Sequence, residues 1–185
     1  MPRQLLDQCT RLFRSMRVYW VDAQMPGRLG IVERPAGDSR LAREVKAMRA
    51  AGVDTLVSLL TFEESVGCGL LDESELCERE GIRFVSFPVR DHGLPESSRA
   101  VGQLVEELRA DLRQGKSIAM HCWAGIGRSS LLLASILCAE GWRVDEAFFR
   151  ISRARGFHTP DTAEQFHWVE AFAAELPEAI PHESE

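Results

Sequence analysis

Ten consecutive residues, His121-Cys122-Trp123-Ala124-Gly125-Ile126-Gly127-Arg128-Ser129-Ser130, put a thiol, two glycines and an arginine into one short segment. Ser117-Ile118-Ala119-Met120 before them reads as a buried strand, and Leu131 to Ala139 after them is apolar except at Ser135, as a fully buried helix is. The segment is therefore a loop that leaves the end of a strand and enters the start of a helix. The first backbone N–H groups of a helix have no intrahelical partner and carry partial positive charge, so an anion seated there is stabilised. Gly125 and Gly127 let the amides of Trp123, Ala124, Gly125, Ile126 and Gly127 turn inward as a nest around the oxygens of a phosphoryl group. The same field favours the thiolate of Cys122, which makes it a nucleophile at neutral pH. Arg128 adds a planar, permanently charged fork that matches two phosphate oxygens, a geometry lysine lacks. Ser129 offers a hydroxyl to the departing sulfur, and His121 points away and braces the loop through its backbone.

Transfer of a phosphoryl group to sulfur leaves an oxygen that needs a proton, so a carboxylic acid should stand opposite the loop. Asp91 is the candidate. It follows the strand-like run Ile82 to Val89 and opens Asp91-His92-Gly93-Leu94-Pro95, whose glycine and proline mark a loop. Ser97 to Gln114 then reads as one helix, with Ser97 or Ser98 as its cap and Val101, Leu104, Val105, Leu108 and Leu112 on one face. The order strand, acid loop, crossover helix, strand, cysteine loop predicts two neighbouring parallel strands whose loops emerge at one sheet edge, where open α/β folds seat ligands.

Cys-x5-Arg-Ser preceded by histidine resembles the signature of the cysteine-dependent protein tyrosine phosphatase superfamily. Pro88-x-x-Asp91-x-Gly93-x-Pro95 is similar to the general-acid segment of its small dual-specificity members, and Arg153 to Gln165 resembles the loop whose glutamine positions the hydrolytic water. Trp20 with Met25-Pro26-Gly27-Arg28-Leu29, and the segment from Gly52 to Leu59, resemble the N-terminal half of small atypical dual-specificity phosphatases, the cyclin-dependent-kinase-associated group among them. The resemblance implies an α/β fold with a central, mainly parallel sheet flanked by helices. It implies hydrolysis of phosphotyrosine and phosphoserine or phosphothreonine on proteins through a phosphocysteine, with no metal and no cofactor. On that footing Cys122 is the nucleophile, Arg128 and the amides of residues 123 to 127 hold phosphate, Asp91 is acid and then base, Ser129 assists the thiolate, Gln165 places water, and His121 supports the loop. Asp161 or Thr162 caps the last helix. Two rival readings are a rhodanese-like sulfurtransferase, which also sets a cysteine loop before a helix, and a non-catalytic phospho-binding module. Asp91 and Gln165 weigh against the first, and the presence of Cys122, Arg128 and Asp91 together gives the second no support.

The chain has 185 residues, 45% apolar and 27% charged, and reads as one domain over residues 1–176 with a mobile tail at 177–185. It has no run of 18 apolar residues, and Met1-Pro2-Arg3-Gln4 is not followed by an apolar signal core, so a cytoplasmic protein that avoids membranes is expected. With a net charge of −6 a broad basic face for nucleic acid is not expected; the partner expected is a phosphorylated protein or peptide, met by a monomer. Arg90, Arg128, Arg153 and Arg155 are read as a cationic mouth. Five cysteines (9, 68, 77, 122 and 138) without Cys-x-x-Cys spacing argue against a disulfide framework or a zinc site, and leave Cys68 or Cys77 to resolve an oxidised Cys122. Gly115-Lys116-Ser117 mimics the end of a nucleotide-binding loop, but a helix precedes it and a strand follows, the reverse of what that loop needs. Trp123, Ala124 and Ile126 leave no lysine in the cysteine loop, which argues against an inositide substrate. Upstream, Arg17–Val21 and Leu29–Val32 read as short strands, Ser39–Ala51 as a helix, Asp54–Leu60 as a buried strand, and Glu63 to Gly81 as helix interrupted at Gly67-Cys68-Gly69.

Overall fold

Successive side chains of a strand point to opposite faces, and here both faces of the central strands are apolar, so the sheet must be covered on two sides. The computed structural model describes residues 16–176. Its strands are β1 (Val18–Val21), β2 (Leu29–Val32), β3 (Thr55–Ser58), β4 (Arg83–Ser86) and β5 (Ile118–His121), in the order β1-β2-β5-β3-β4. β1 and β2 form an antiparallel hairpin, while β2, β5, β3 and β4 run parallel. In β5, Ile118 and Met120 enter one core and Ala119 the other; Val57 and Leu56 of β3 divide in the same way.

The first core is closed by α4 (Ser98–Arg113), α5 (Arg128–Ala139), α6 (Val144–Arg155) and α7 (Ala163–Ala174), the second by α1 (Leu41–Ala50) and α3 (Glu73–Arg79). A short α2 (Phe62–Gly67) follows β3. All twelve residues of α5 are buried, which accounts for its lack of a polar face. Ser97 Oγ accepts from the Ala100 amide at 3.2 Å, so Ser97 caps α4. Thr162 Oγ1 accepts from the Gln165 amide at 3.2 Å, so Thr162 and not Asp161 caps α7. Gly115-Lys116-Ser117 is the turn between α4 and β5.

One expectation fails. β4 and β5 follow one another in the chain but are not neighbours, because β3 lies between them, with Val57 opposite both Val85 and Met120. The reason is burial: β3 is buried at every position and suits a central place, whereas Arg83-Phe84-Val85-Ser86 exposes both ends and suits an edge. Since the strands are parallel, their following loops still leave at one edge. The anticipated tail at 177–185, Cys9 and the opening residues Met1 to Gln4 lie outside the described residues. Among the described residues no helix is long and apolar enough to cross a membrane.

Candidate active site

Four parallel strands end at the same edge of the sheet, and each hands a loop to it. β2 leads to Arg34, β5 to the Cys122–Gly127 loop, β3 to Thr61 and Glu64, and β4 to Asp91. Cys122 is 3% exposed, and the Gly125 amide donates to its Sγ at 3.2 Å. Beneath the loop, Arg155 Nε donates to the Gly125 carbonyl at 2.9 Å and its Nη2 to the Ala124 carbonyl at 2.8 Å. In a trans peptide the C=O and the following N–H point opposite ways. Tying those two carbonyls outward therefore turns the Gly125 and Ile126 amides inward, which builds the nest.

Both glycines of the loop are required. Gly125 has φ +66°, a conformation side-chain-bearing residues rarely adopt. Gly127 makes room instead: a Cβ there would fall 2.4 Å from Asp161 Oδ2 and 2.9 Å from Gln165 Oε1. Of the loop's side chains, Trp123 is 49% exposed, Ala124 is exposed and Ile126 is half-buried. The cationic mouth is smaller than the sequence reading has it. Arg155 and Arg128 are buried and committed to neighbours, and of the four arginines only Arg90 and Arg153 are exposed.

Arg128 opens α5 and is held by a clamp. Nη1 donates to Glu64 Oε2 at 2.8 Å and to the Val89 carbonyl at 2.8 Å, and Nη2 to Glu64 Oε1 at 3.0 Å and Asp91 Oδ1 at 2.9 Å. Burial pushes the guanidinium pKa down, but the Glu64 hydrogen bond and the negative charges at Cys122, Glu64 and Asp91 outweigh it and drive it up. Burial likewise pushes the Glu64 carboxyl up, and the bonds from Arg128 and the Thr61 amide overcome this and hold it below the usual carboxylate range. Sequence reading passes over Glu64. Its local signal is Thr61-x-x-Glu64, a capping box that the structure contains, with the Thr61 amide donating to Glu64 Oε2 at 2.9 Å. Nothing in that spacing reveals the bond to Arg128.

Asp91 is brought to the loop by Arg128, and the Nε2 of His92 lies 3.7 Å from its second oxygen. Gln165 is fully buried, lies against Gly127, and donates Nε2 to the Gly93 carbonyl of the acid loop at 3.4 Å. Its Oε1 has no hydrogen-bond partner among the described residues, and neither does Ser129 Oγ. Ser129 is therefore at the loop but not bonded to the sulfur. His121 fills the underside as expected, with Nδ1 3.4 Å from the Cys122 carbonyl, and meets a partner the sequence does not announce: Nε2 lies 3.1 Å from Glu73 Oε1, at 0% and 2% side-chain exposure. Glu73 sits in the first turn of α3, where a negative charge is favoured by the helix N-terminus.

Burial and the Glu73 charge push the Cys77 thiol up to about 12, which removes the thiolate needed to resolve an oxidised Cys122. Burial and the Asp145 charge do the same to Cys138. Cys68 accepts a hydrogen bond from Arg34 Nη1.

The family described as "Polymorphic toxin system, DSP-PTPase phosphatase" matches residues 31–142, a span that contains Glu64, Asp91 and the whole Cys122–Arg128 loop. Rat cyclin-dependent kinase inhibitor 3 is 22% identical over 138 residues, covering 74% of this chain and 65% of that protein. Mouse protein tyrosine phosphatase domain-containing protein 1 is 31% identical over 128 residues, covering 63% of this chain and 17% of that protein. The chain thus spans less than two thirds of either relative's length. A crystal structure of kinase associated phosphatase, with its catalytic site cysteine substituted by serine, is alike in fold, with a TM-score of 0.80 at 19% identity over 89% of this chain and 97% of that one. With more than half of its residues matched, and with the cysteine loop, the arginine and the carboxylates inside the match, the chain belongs to the DSP-PTPase phosphatase family of polymorphic toxin systems.

Proposed function

We propose that the protein hydrolyses phosphate monoesters on phosphotyrosine and phosphoserine or phosphothreonine of proteins, through a phosphocysteine, as a cytoplasmic monomer without metal or cofactor. The observation that carries this reading is the pairing of Arg128 Nη2 with Asp91 Oδ1 at 2.9 Å, which joins the end of the cysteine loop to the acid loop although the two follow different strands. In the first step Cys122 Sγ attacks phosphorus, the P–O bond breaks, and protonated Asp91 gives its proton to the leaving oxygen. In the second, the Asp91 carboxylate takes a proton from a water that attacks phosphorus; the S–P bond breaks and sulfur leaves as thiolate. The unpartnered Gln165 Oε1 is an acceptor suited to orient that water, and the buried Ser129 hydroxyl a donor suited to the departing sulfur. Arg128 and the inward amides stabilise the charge on the transferring oxygens, the task metal ions perform in kinases.

Asp91 is 56% exposed, so its contact with Arg128 can give way when substrate arrives and the carboxyl swings to the leaving group. The names of the relatives support a protein substrate, and a loop carrying Trp123, Ala124 and Ile126 supports it over an inositide. The serine-substituted catalytic site cysteine of the structural neighbour supports Cys122 as nucleophile. Sulfur transfer requires neither Asp91 nor Gln165, and silent phosphate capture requires no acid. The test is release of inorganic phosphate from a phosphopeptide panel, with an acid-quenched phosphocysteine trapped in the wild type and absent from Cys122→Ser. Failure of the wild type to release phosphate from every member overturns the reading.

A further inference from the structure

The loop after β2 brings a cation to the same sheet edge, and the mechanism above leaves it without a task. β2 and β5 are parallel neighbours with Ile31 opposite Met120, so Arg34, two residues past the end of β2, emerges beside the residues that follow β5. Its guanidinium lies 4.3 Å from the ring centroid of Trp123, the residue after Cys122. Its Nη1 donates to Cys68 Sγ, and its Nε is buried with no hydrogen-bond partner among the described residues. Arg128, on the other side of the loop, is neutralised by two carboxylates, whereas no carboxylate among the described residues pairs with Arg34.

We propose that Arg34 and Trp123 form a second anion subsite that takes the carboxylate of an aspartate or glutamate beside the phosphorylated residue of a peptide substrate. The inference rests on the phosphatase reading and deepens it by naming a substrate class. A guanidinium whose centre already lies over an indole is positioned before it binds, so little freedom is lost when it does. Its fork matches a carboxylate through two parallel hydrogen bonds. The indole supplies an apolar wall that keeps water from the pair and strengthens it, and it adds no charge of its own. A thiol is a partner for one N–H, but it does not cancel the cation's field, which therefore reaches an incoming carboxylate in a chain of net charge −6. A cysteine loop that carries Trp123, Ala124 and Ile126 and no lysine favours a peptide over an inositide headgroup as the source of the anion.

Steady-state kinetics on matched phosphotyrosine peptides, carrying glutamate or glutamine at the flanking positions, tests the proposal. The readout is the ratio of kcat/KM between the two, not either rate alone. The wild type should favour the acidic peptide by about tenfold, the worth of one charge-assisted contact, with the preference shrinking as salt is raised. Arg34→Gln should bring the ratio close to one, and Arg34→Lys, which keeps the charge without the fork, should fall between. A wild-type ratio near one at low salt overturns the subsite, and this measurement stands even where a variant fails to fold. A preference that survives Arg34→Gln overturns it too, since Arg34 would then act only by holding Trp123. Vesicles containing a phosphoinositide provide the other arm: loss of phosphate release from them in Arg34→Gln, with the peptide ratio intact, would assign the anion to lipid and overturn the peptide claim. Absence of phosphate release from all substrates by the wild type is a different result, and it sinks the phosphatase reading itself.

Discussion

Two carboxylates reach Arg128, and they differ in how tightly they are held. Glu64 uses both oxygens at 18% side-chain exposure, while Asp91 uses one at 56%. Glu64 is thereby suited to orient the guanidinium and Asp91 to move. In Glu64→Gln one oxygen becomes an NH2 group that faces the guanidinium donors, so the fork loses half its clamp; kcat/KM should fall by about 10²-fold, the penalty for a misplaced reacting geometry. The same variant has a pH signature. Because Arg128 holds the Glu64 carboxyl below its ordinary value, the stabilisation is fully present above the unfolded carboxyl pKa, about 4.3, and is lost as pH falls through the folded one. Urea melts across that range should show the wild type losing its advantage over Glu64→Gln as the solution is acidified; a gap constant with pH would remove Arg128 as the cause. Asp91→Ala should lower kcat by about 10²–10⁴ and erase the basic limb of the pH profile, because the lost group is the proposed proton donor. Unchanged turnover in that variant would dismiss Asp91 as the acid.

At the scale of elements, the cysteine loop is supported from below by α3 as well as by α6. Glu73 and His121 lie in buried contact between the first turn of α3 and the last residue of β5, and removing one of two facing buried polar groups strands the other. Glu73→Leu should lose about 1–3 kcal/mol of unfolding free energy, read as a lower urea midpoint at unchanged m. An unshifted midpoint would mean that the pair contributes nothing to stability. The elements themselves are legible wherever apolar period and punctuation coincide, as from Ser97 to Arg113 or around the break at Gly67-Cys68-Gly69 between α2 and α3. So is the loop from Cys122 to Arg128, because its chemistry is local. Strand order is not legible, since β3 enters between two strands that are consecutive in the chain. Glu64, Glu73 and Arg34 escape notice for the same reason: each meets a partner far away in sequence, Arg128, His121 and Trp123 in turn, and only the sheet order brings them together. Arg155 is noticed as a charge but misplaced, because helix periodicity does not say that its guanidinium binds two loop carbonyls.

Across the whole molecule the sheet separates chemistry at one edge from anchoring at the other. At the starts of the strands, Asp111, 7% exposed, accepts from Arg83 Nη1 at 2.9 Å and from Lys116 Nζ at 2.6 Å, which ties α4 to β4 and to the turn before β5. Beside it Asp54 Oδ2 accepts from the Ser117 amide at 2.9 Å; burial pushes that carboxyl up, but the amide and Arg49 hold it below its ordinary range. A strand of four residues spans about 13 Å, so the groups at the anchoring edge make no contact with the cysteine loop. Asp111→Ala leaves Arg83 without one partner and Lys116 without its own, and should lower stability by about 1–3 kcal/mol. Its kcat/KM per folded molecule should stay within about twofold of the wild type, since none of the groups proposed to hold or attack phosphate is touched. A larger fall, measured where the variant is still fully folded, would show that the strands transmit strain from end to end and that the two edges do not act independently.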